Sequence, residues 1–553
     1  MLQLNALPQI RKPINSPFLS FAKGTKERTE LEKAIENIRS AKPEILPLWI
    51  NGPVLNSKEE RGLCIAPHDF KRTLAVYAKA SEKYVHDAIK TVLNARKKWL
   101  TLPWQFRLSI FQTAARLLET KYLVKMVAAV MEDYSKNPFE AFIDVQELID
   151  FWNFNCYYAS TIYAEQPDSN VDTLNLLDYR PLEGFVYAIP PNNFVAIEGN
   201  LPTAPLIMGN VVIVKPSSDV VYSFHLVLKI LLEAGLPRDV LAVLHGNSKM
   251  ISDIILDHPM LSGVHFTGGT ETFKEIRWRI AQNEYKDLYK GFVRIVGETG
   301  GKNPIVVFYD HDPVATAAAI VVAGFGAQGR KCSAASRVYM TCDMWSKVKP
   351  ILLKFTETIK VGDVADFKNY MGAIINEKEY RKIVSYIKNA KGSKESVGGL
   401  VQEVLGGEYN DKHGWFVGPT LIVTADPHYA TMEEEVFGPV VTICTFPKKN
   451  YKETVFNLCD ETSPYGLTGA VQTSDIYTFC EALEELRYVA GNMYNWKTTG
   501  AMVNAQPFSG GRKSGTNSKV GWRLNLYQWT EPRTIGQTLV KPTDFAPAYL
   551  DRE

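Results

Sequence analysis

A chain of 553 residues, 46% hydrophobic and 22% charged, is too long for one hydrophobic core and has the balance of an ordinary globular protein, neither disordered nor membrane-embedded. Its 62 basic and 60 acidic residues leave a formal net charge of +2, so no global field recruits nucleic acid or anionic lipid. Two or three structural domains and a small-molecule partner are the expectation.

The seven cysteines (Cys64, Cys156, Cys332, Cys342, Cys444, Cys459, Cys480) form no CxxC pair and no Cys/His cluster with zinc spacing, so neither a disulfide framework nor a metal site is expected. Apolar runs such as Ala317 to Phe325 fall short of the roughly 20 residues that span a bilayer. The start, MLQLNALPQIRKPINSP, lacks the apolar centre of a signal peptide, and its two adjacent basic residues make a weak case for a transit peptide. The default address is cytoplasmic, or the mitochondrial matrix for a eukaryotic chain.

In chain order, Thr25 to Lys42 is charged with apolar residues at helical spacing and predicts an exposed amphipathic helix in a wrapping extension. Glu82 to Ala164 is again helical, and its aromatic stretch LIDFWNFNCYYASTIYAE suits burial between layers. From Gly184 to Phe308, short apolar strands (GFVYAI, NVVIVK, VLAVLH, GVHFTG, RIVGE, PIVVF) alternate with helix-length segments, the rhythm of a parallel α/β sheet. The strand-end loops PPNN, KPSSD, HGNS and TGGTET lie where open α/β sheets bind ligands. A second alternation runs from Gly301 to about Val503, and YQWTEPRTIGQTLV is β-branched enough to pair as strands. The expected fold class is α/β: two α/β lobes with a Rossmann-type parallel sheet, plus a small β appendage.

Gly324, Gly326 and Gly329 formally satisfy GxGxxG after an apolar run, with Asp343 at the distance of a ribose ligand. Only RKCSAASRVYMTC intervenes, and RVYM in it reads as a strand, so the helix that a dinucleotide fingerprint requires has no room. The alanine-rich run reads better as a helix and the glycines as a loop delivering Cys332.

VGETGGKNP (296–304) and FGAQGRKCSA (325–334) place a glutamate and a cysteine on separate glycine-flanked segments. In this order and spacing the two strings resemble the aldehyde dehydrogenase superfamily. The resemblance implies Cys332 as nucleophile and Glu298 as base. A lone cysteine is usually a small buried hydrophobe and a lone glutamate a solvated acid; the pair reverses both readings. A thiolate adding to an aldehyde makes the tetrahedral oxyanion from which hydride can leave. Arg330 and Lys331 precede Cys332 and are expected to lower its pKa by proximity; the family usually has Gln at position 330.

By the same resemblance, Asn193 in AIPPNNF is the oxyanion donor together with the Cys332 backbone N–H. Lys215 in VIVKPSS maps onto an adenosine-ribose ligand, with Ser218 where the family usually has an acid. FTGGTETF supplies Gly268, Gly269, Thr270, Glu271 and Thr272 around a pyrophosphate at a helix N-terminus, with Phe273 replacing the family's last glycine. In EEVFGP, Glu435 and Phe437 map onto the nicotinamide-ribose segment. The implied cofactor is NAD. The implied units are an N-terminal extension (1–45), an NAD-binding domain (46–162 and 183–296), a catalytic domain (297–515) and a β oligomerisation element (163–182 and 516–553).

FAKGTKERTELEKAI, YRPLEGFVYAIPPNNF, GRKCSAASR and TTGAMVNAQPFSGGRKSGTN narrow the resemblance to the branch of that family acting on glutamate γ-semialdehyde, the open-chain form of Δ1-pyrroline-5-carboxylate. In that branch the Gly500 and Ala501 amides and the Ser333 hydroxyl grip the substrate carboxylate, and Phe508 packs on its aliphatic stem. Some members have serine where Ala501 stands. The expected activity is NAD-dependent oxidation of the semialdehyde to glutamate through a thioester. The rivals are an enzyme for another aldehyde and a non-catalytic binding protein of the same fold. A homodimer or higher even oligomer is expected, because the appendage exposes sheet edges, and transient contact with a proline-oxidising enzyme is a further expectation.

Overall fold

The computed structural model describes residues 8–55, 60–395, 400–547 and 549–550. Residues 1–7 of the segment read for targeting signals, and 551–553 of the C-terminal element, lie outside them.

The N-terminal helix runs Lys26–Ser40, capped by Thr25, whose hydroxyl accepts from the Arg28 N–H. Leu31 and Ile35 are buried while its other faces carry charge, as the spacing predicted. The helix packs on Leu123–Tyr134. Arg39 in its last turn reaches the fully buried Glu132 at 2.7 Å and Asp363 at 2.6 Å.

The helical stretch divides at its breakers. Pro103 separates Glu82–Thr101 from Trp104–Leu117, and a left-handed Ser135 (φ 55°) ends Leu123–Tyr134. Asn137 caps Pro138–Ala164, accepting from the Glu140 N–H, with proline in the first turn where a missing N–H costs nothing. That last helix carries Trp152, Phe154 and Ile162 fully into the core.

Two seven-stranded sheets organise the rest. In the first, the order is Arg294–Glu298, Leu261–Thr267, Phe185–Ile189, Val212–Val214, Leu241–Val243, Leu48–Trp49, Pro53–Val54. Its first five strands are parallel. The direction of winding reverses between Phe185–Ile189 and Leu261–Thr267, so the loops after Ile189 and Thr267 open on the crevice where such sheets bind ligands. The second sheet runs Val401–Gly406, Thr420–Thr424, Val440–Phe446, Ala335–Thr341, Asn303–Val307, Thr468–Gln472, Asn492–Asn495, parallel except for its first strand. PIVVF, read with the first alternation, supplies an interior strand of this second sheet, the fifth of its seven. The chain leaves the first sheet at Glu298 and enters the second at Asn303, so the two sheets meet across a four-residue connection.

Thr173–Pro181 and Thr530–Thr538 pair antiparallel as a two-stranded arm that leaves Leu174, Leu176 and Ile535 exposed. A further three-stranded sheet (Glu44–Leu46, Asp69–Ala78, Arg61–Ala66) had no sequence reading. The GxGxxG match resolves as argued: Pro313–Phe325 is a helix, Gly326–Gly329 a tight turn, and Ala335–Thr341 a strand. No helix is long and apolar enough to cross a membrane among the described residues.

Candidate active site

Cys332 and Glu298 arrive from opposite directions at one cavity of about 800 Å³, part of it open to solvent, lined with Ser333, Phe151, Phe194, Leu201, Ala501 and Phe508. Glu298 ends its strand and is pinned there by a bridge to Gly515, whose φ of 143° and close approach to the Gly297 carbonyl admit no side chain. Cys332 follows the turn Ala327–Gln328–Gly329, three successive residues at positive φ (48°, 59°, 65°). The Gln328 amide anchors this turn to the carbonyls of Ser135 and Ala373. Asn303 donates to the Cys332 and Ala334 carbonyls at 2.7 and 2.8 Å, fixing the backbone on the far side.

Burial pushes the Cys332 thiol up to about 12, and the carboxylates Glu298, Glu435 and Glu147 add to the shift, against a lowering contact from the Ser333 backbone. The expected help from Arg330 and Lys331 is absent. Lys331 turns away to Glu140 at 2.6 Å. Arg330 lies over the Phe437 ring at 4.7 Å and bonds the Phe437 carbonyl and Asn192 Oδ1. Adjacent side chains on an irregular loop diverge, so sequence proximity did not become proximity of charge.

Burial likewise raises Glu298 to about 8, partly offset by the Ser509 hydroxyl, the Gly510 backbone and Lys519. Its Oε1 accepts from Ser509 Oγ, while Oε2 has no partner among the described residues. An orphaned buried oxygen beside the thiol, with a pKa near neutrality, is what a general base for water needs.

Ser333, Ala501 and Phe508 line the same cavity. Gly500 lies beside it on the loop tied down by Thr499, whose Oγ1 donates to the Ser333 carbonyl at 2.5 Å. Asn193 is placed differently: its Nδ2 donates to the Arg330 carbonyl at 3.1 Å, and it lines a separate small cleft with Lys136, Gln328 and Arg330.

The expected cofactor residues fall on the loops at the ends of the first sheet and on the facing lobe. Lys215 is buried and, among the described residues, its ammonium donates to the Pro216 carbonyl alone. Ser218 is half-buried; Asp219 beside it is the engaged acid, accepting from Asn192 and Asn376 at 3.0 Å each. Gly268 donates to the Glu298 carbonyl, and Gly269 caps the helix Thr270–Tyr285 with no side-chain cap, facing open space. Thr270 meets the Tyr465 hydroxyl at 3.2 Å, Glu271 pairs with Lys274 and Thr272 is exposed. Phe273, where the family has glycine, stacks on Phe266 and covers Gly297, which has no room for a Cβ beneath the ring. Glu435 accepts from the Gly301 N–H at 2.9 Å, and burial raises its pKa. Among the described residues no group of three or more His, Cys, Asp or Glu is placed to hold a metal.

Three residues of the site went unread in the sequence. Glu147 lines the cavity, and burial lifts its pKa to about 8. It had a signal: Asp144, Glu147 and Asp150 recur every third residue, along one side of a helix otherwise aromatic and buried. Ser509 and Lys519 had none.

A parallel-sheet crevice presenting a glycine-flanked cysteine and glutamate defines an aldehyde-oxidising class, and the chain belongs to the aldehyde dehydrogenase family, which it matches over residues 55–535. Within that family it is 39% identical over 548 residues to the mitochondrial Δ1-pyrroline-5-carboxylate dehydrogenase of Dictyostelium discoideum, covering 99% of this chain and 97% of the relative. It is 36% identical to the human mitochondrial enzyme of that name, covering 98% and 94% of the two chains. The crystal structure of the Δ1-pyrroline-5-carboxylate dehydrogenase of Mycobacterium tuberculosis bound with NAD superposes with a TM-score of 0.93 at 38% identity, covering 99% of each chain.

Proposed function

We propose that the protein oxidises L-glutamate γ-semialdehyde to L-glutamate with NAD. The observation that carries the reading is the shared cavity of Cys332 and Glu298, which Glu147, Ala501 and Phe508 also line. The Cys332 thiol gives its proton to water in the partly open cavity, its sulfur bonds to the aldehyde carbon as the C=O π pair moves onto oxygen, and the Cys332 N–H and Asn193 are the proposed donors to that oxyanion. The second amide hydrogen of Asn193 remains available, since one is given to Arg330. When bound, NAD supplies the acceptor for the hydride that converts this adduct to a thioester. Water then gives a proton to Glu298 and attacks the thioester carbon; the C–S bond breaks and glutamate leaves. Covalent chemistry thus divides one difficult step into two.

The residues fit the cofactor. Lys215 keeps donors free for a ribose, the uncapped helix at Gly269–Thr270 presents bare N–H groups to a pyrophosphate, and Glu435 with Phe437 would hold the nicotinamide ribose. Ser333, Gly500 and Ala501 would hold the substrate α-carboxylate, Phe508 its stem, and Glu147 its α-ammonium.

The first sheet with its helices is assigned as the NAD-binding domain, the second as the catalytic domain, and the two-stranded arm as the element that joins copies. An isolated two-stranded ribbon with exposed Leu174, Leu176 and Ile535 is marginal alone, which favours a homodimer. The mitochondrial names of the eukaryotic relatives favour that compartment for a eukaryotic source. The test is NADH formation with pyrroline-5-carboxylate against a panel of aldehydes. Robust oxidation of another aldehyde with none of this one overturns the substrate; no NADH from any aldehyde favours a binding protein.

A further inference from the structure

Glu298 is held by a side chain from a distant segment. Ser509 is fully buried, on the turn after Phe508, and its hydroxyl has one acceptor, Glu298 Oε1, across 211 positions of sequence. The turn itself is rigid. Phe508 and Val520 form an antiparallel bridge, the Ser509 N–H meets Asn492 Oδ1, and the Ser509 carbonyl accepts from Lys519 Nζ at 3.2 Å. Gly491 beneath it has no room for a Cβ, which would lie 2.0 Å from the Ser509 carbonyl oxygen. The hydroxyl therefore arrives at the carboxylate from a backbone that cannot easily move.

From this geometry we infer that Ser509 is a positioning residue for deacylation, holding Glu298 by one oxygen so that the other stays free for water, and so setting the pH at which the thioester is hydrolysed. The inference rests on Glu298 being the base. A hydroxyl donates more strongly to a carboxylate than to the oxygens of a neutral carboxylic acid, so the bond favours the ionised form. It opposes the burial that raises Glu298. The other charged groups around Glu298 are few. Lys519 faces it from the segment carrying Ser509, Cys332 and Glu147 share its cavity, and His265 on the neighbouring strand turns instead to the Leu201 carbonyl and the Trp529 ring. Removing the hydroxyl takes away a favourable contact to the anion that none of these replaces. Glu298 would then keep only the Gly510 backbone contact and the charge of Lys519, and the base would lose part of its orientation and part of its acidity.

The experiment uses the full-length enzyme with NAD and its aldehyde, comparing Ser509→Ala, Ser509→Thr and Glu298→Gln. The rapid NADH burst reports thioester formation and the following steady-state rate reports hydrolysis. Ser509→Ala is expected to keep its burst and to move the midpoint of the steady-state pH profile upward by about one unit, a roughly tenfold loss below that midpoint. Ser509→Thr, which keeps the hydroxyl, is expected to restore the profile. An unshifted midpoint in Ser509→Ala, or a uniform loss at all pH values that Thr does not rescue, overturns the inference. Glu298→Gln separates the two failures: if it hydrolyses the thioester as fast as the parent, the assignment of the base itself is wrong.

Discussion

Replacing Arg39 by Ala should loosen the N-terminal helix by about 2 kcal/mol. Arg39 gives Nε to Glu132 at 2.7 Å and two further N–H groups to Asp363 at 2.9 and 2.6 Å. Burial opposes ionisation of Asp363, but the Arg39 hydrogen bond, the Ala365 backbone and the charges of His68 and Arg39 outweigh it and hold the carboxyl down at about 2, from an ordinary 3.8. A shift of that size corresponds to about 2.5 kcal/mol, but Asp363 is 44% exposed, and screening reduces its share to about 1 kcal/mol. Glu132 is wholly buried and keeps Arg72 at 3.2 Å after the loss, so its broken bond adds about another 1–2 kcal/mol. The sign follows from a depressed acid: the Asp363 contribution is complete above about pH 4 and disappears as pH falls through 2. A chain of this size does not unfold in two states, so amide hydrogen exchange across Lys26–Ser40 at pH 7 is the suitable assay, with exchange expected to quicken about 30-fold. Less than threefold acceleration, or full acceleration persisting in an Asp363→Asn, Arg72-intact background, would refute the charge assignment.

Alkylation of Cys332 in the free enzyme should climb about tenfold per pH unit well beyond pH 9, because the thiol sits near 12. Glu298→Gln should accelerate alkylation at pH 9, since Glu298 with its pKa of about 8 is ionised there and its charge raises the thiol; a slower reaction would show that Glu298 activates the thiol instead. Phe273→Ala should cost about 3 kcal/mol by emptying the space against Phe266 and Gly297. Gly297→Ala should destabilise on its own by collision with the ring but recover part of the loss in combination; strictly additive thermal midpoints would exclude their contact.

Much of the fold was legible because short apolar strands and amphipathic helices announce themselves by local period. The strands at 185, 212, 241, 261 and 294 formed where read, and the helix read over Thr25 to Lys42 followed from spacing, with Thr25 proving to be its cap. PIVVF shows the limit: nothing in five apolar residues says which sheet they join, and the short Gly300–Gly301 connection decided it. The sheet around Asp69–Ala78 escaped for a related reason, since its edge strands alternate weakly and gain definition only from pairing.

By itself the sequence singled out the residues proposed to carry the chemistry: a cysteine and a glutamate in glycine-flanked strings, and the loops at the strand ends. Only the tertiary structure decided their electrostatics. It turned Arg330 and Lys331 away from Cys332, brought Glu147 in from a helix read as core, and set Ser509 against Glu298 from 211 residues away. Residue identity is local and can be read in order, whereas a pKa depends on burial and on neighbours in space, which the chain acquires only when its two sheets close on the same cavity.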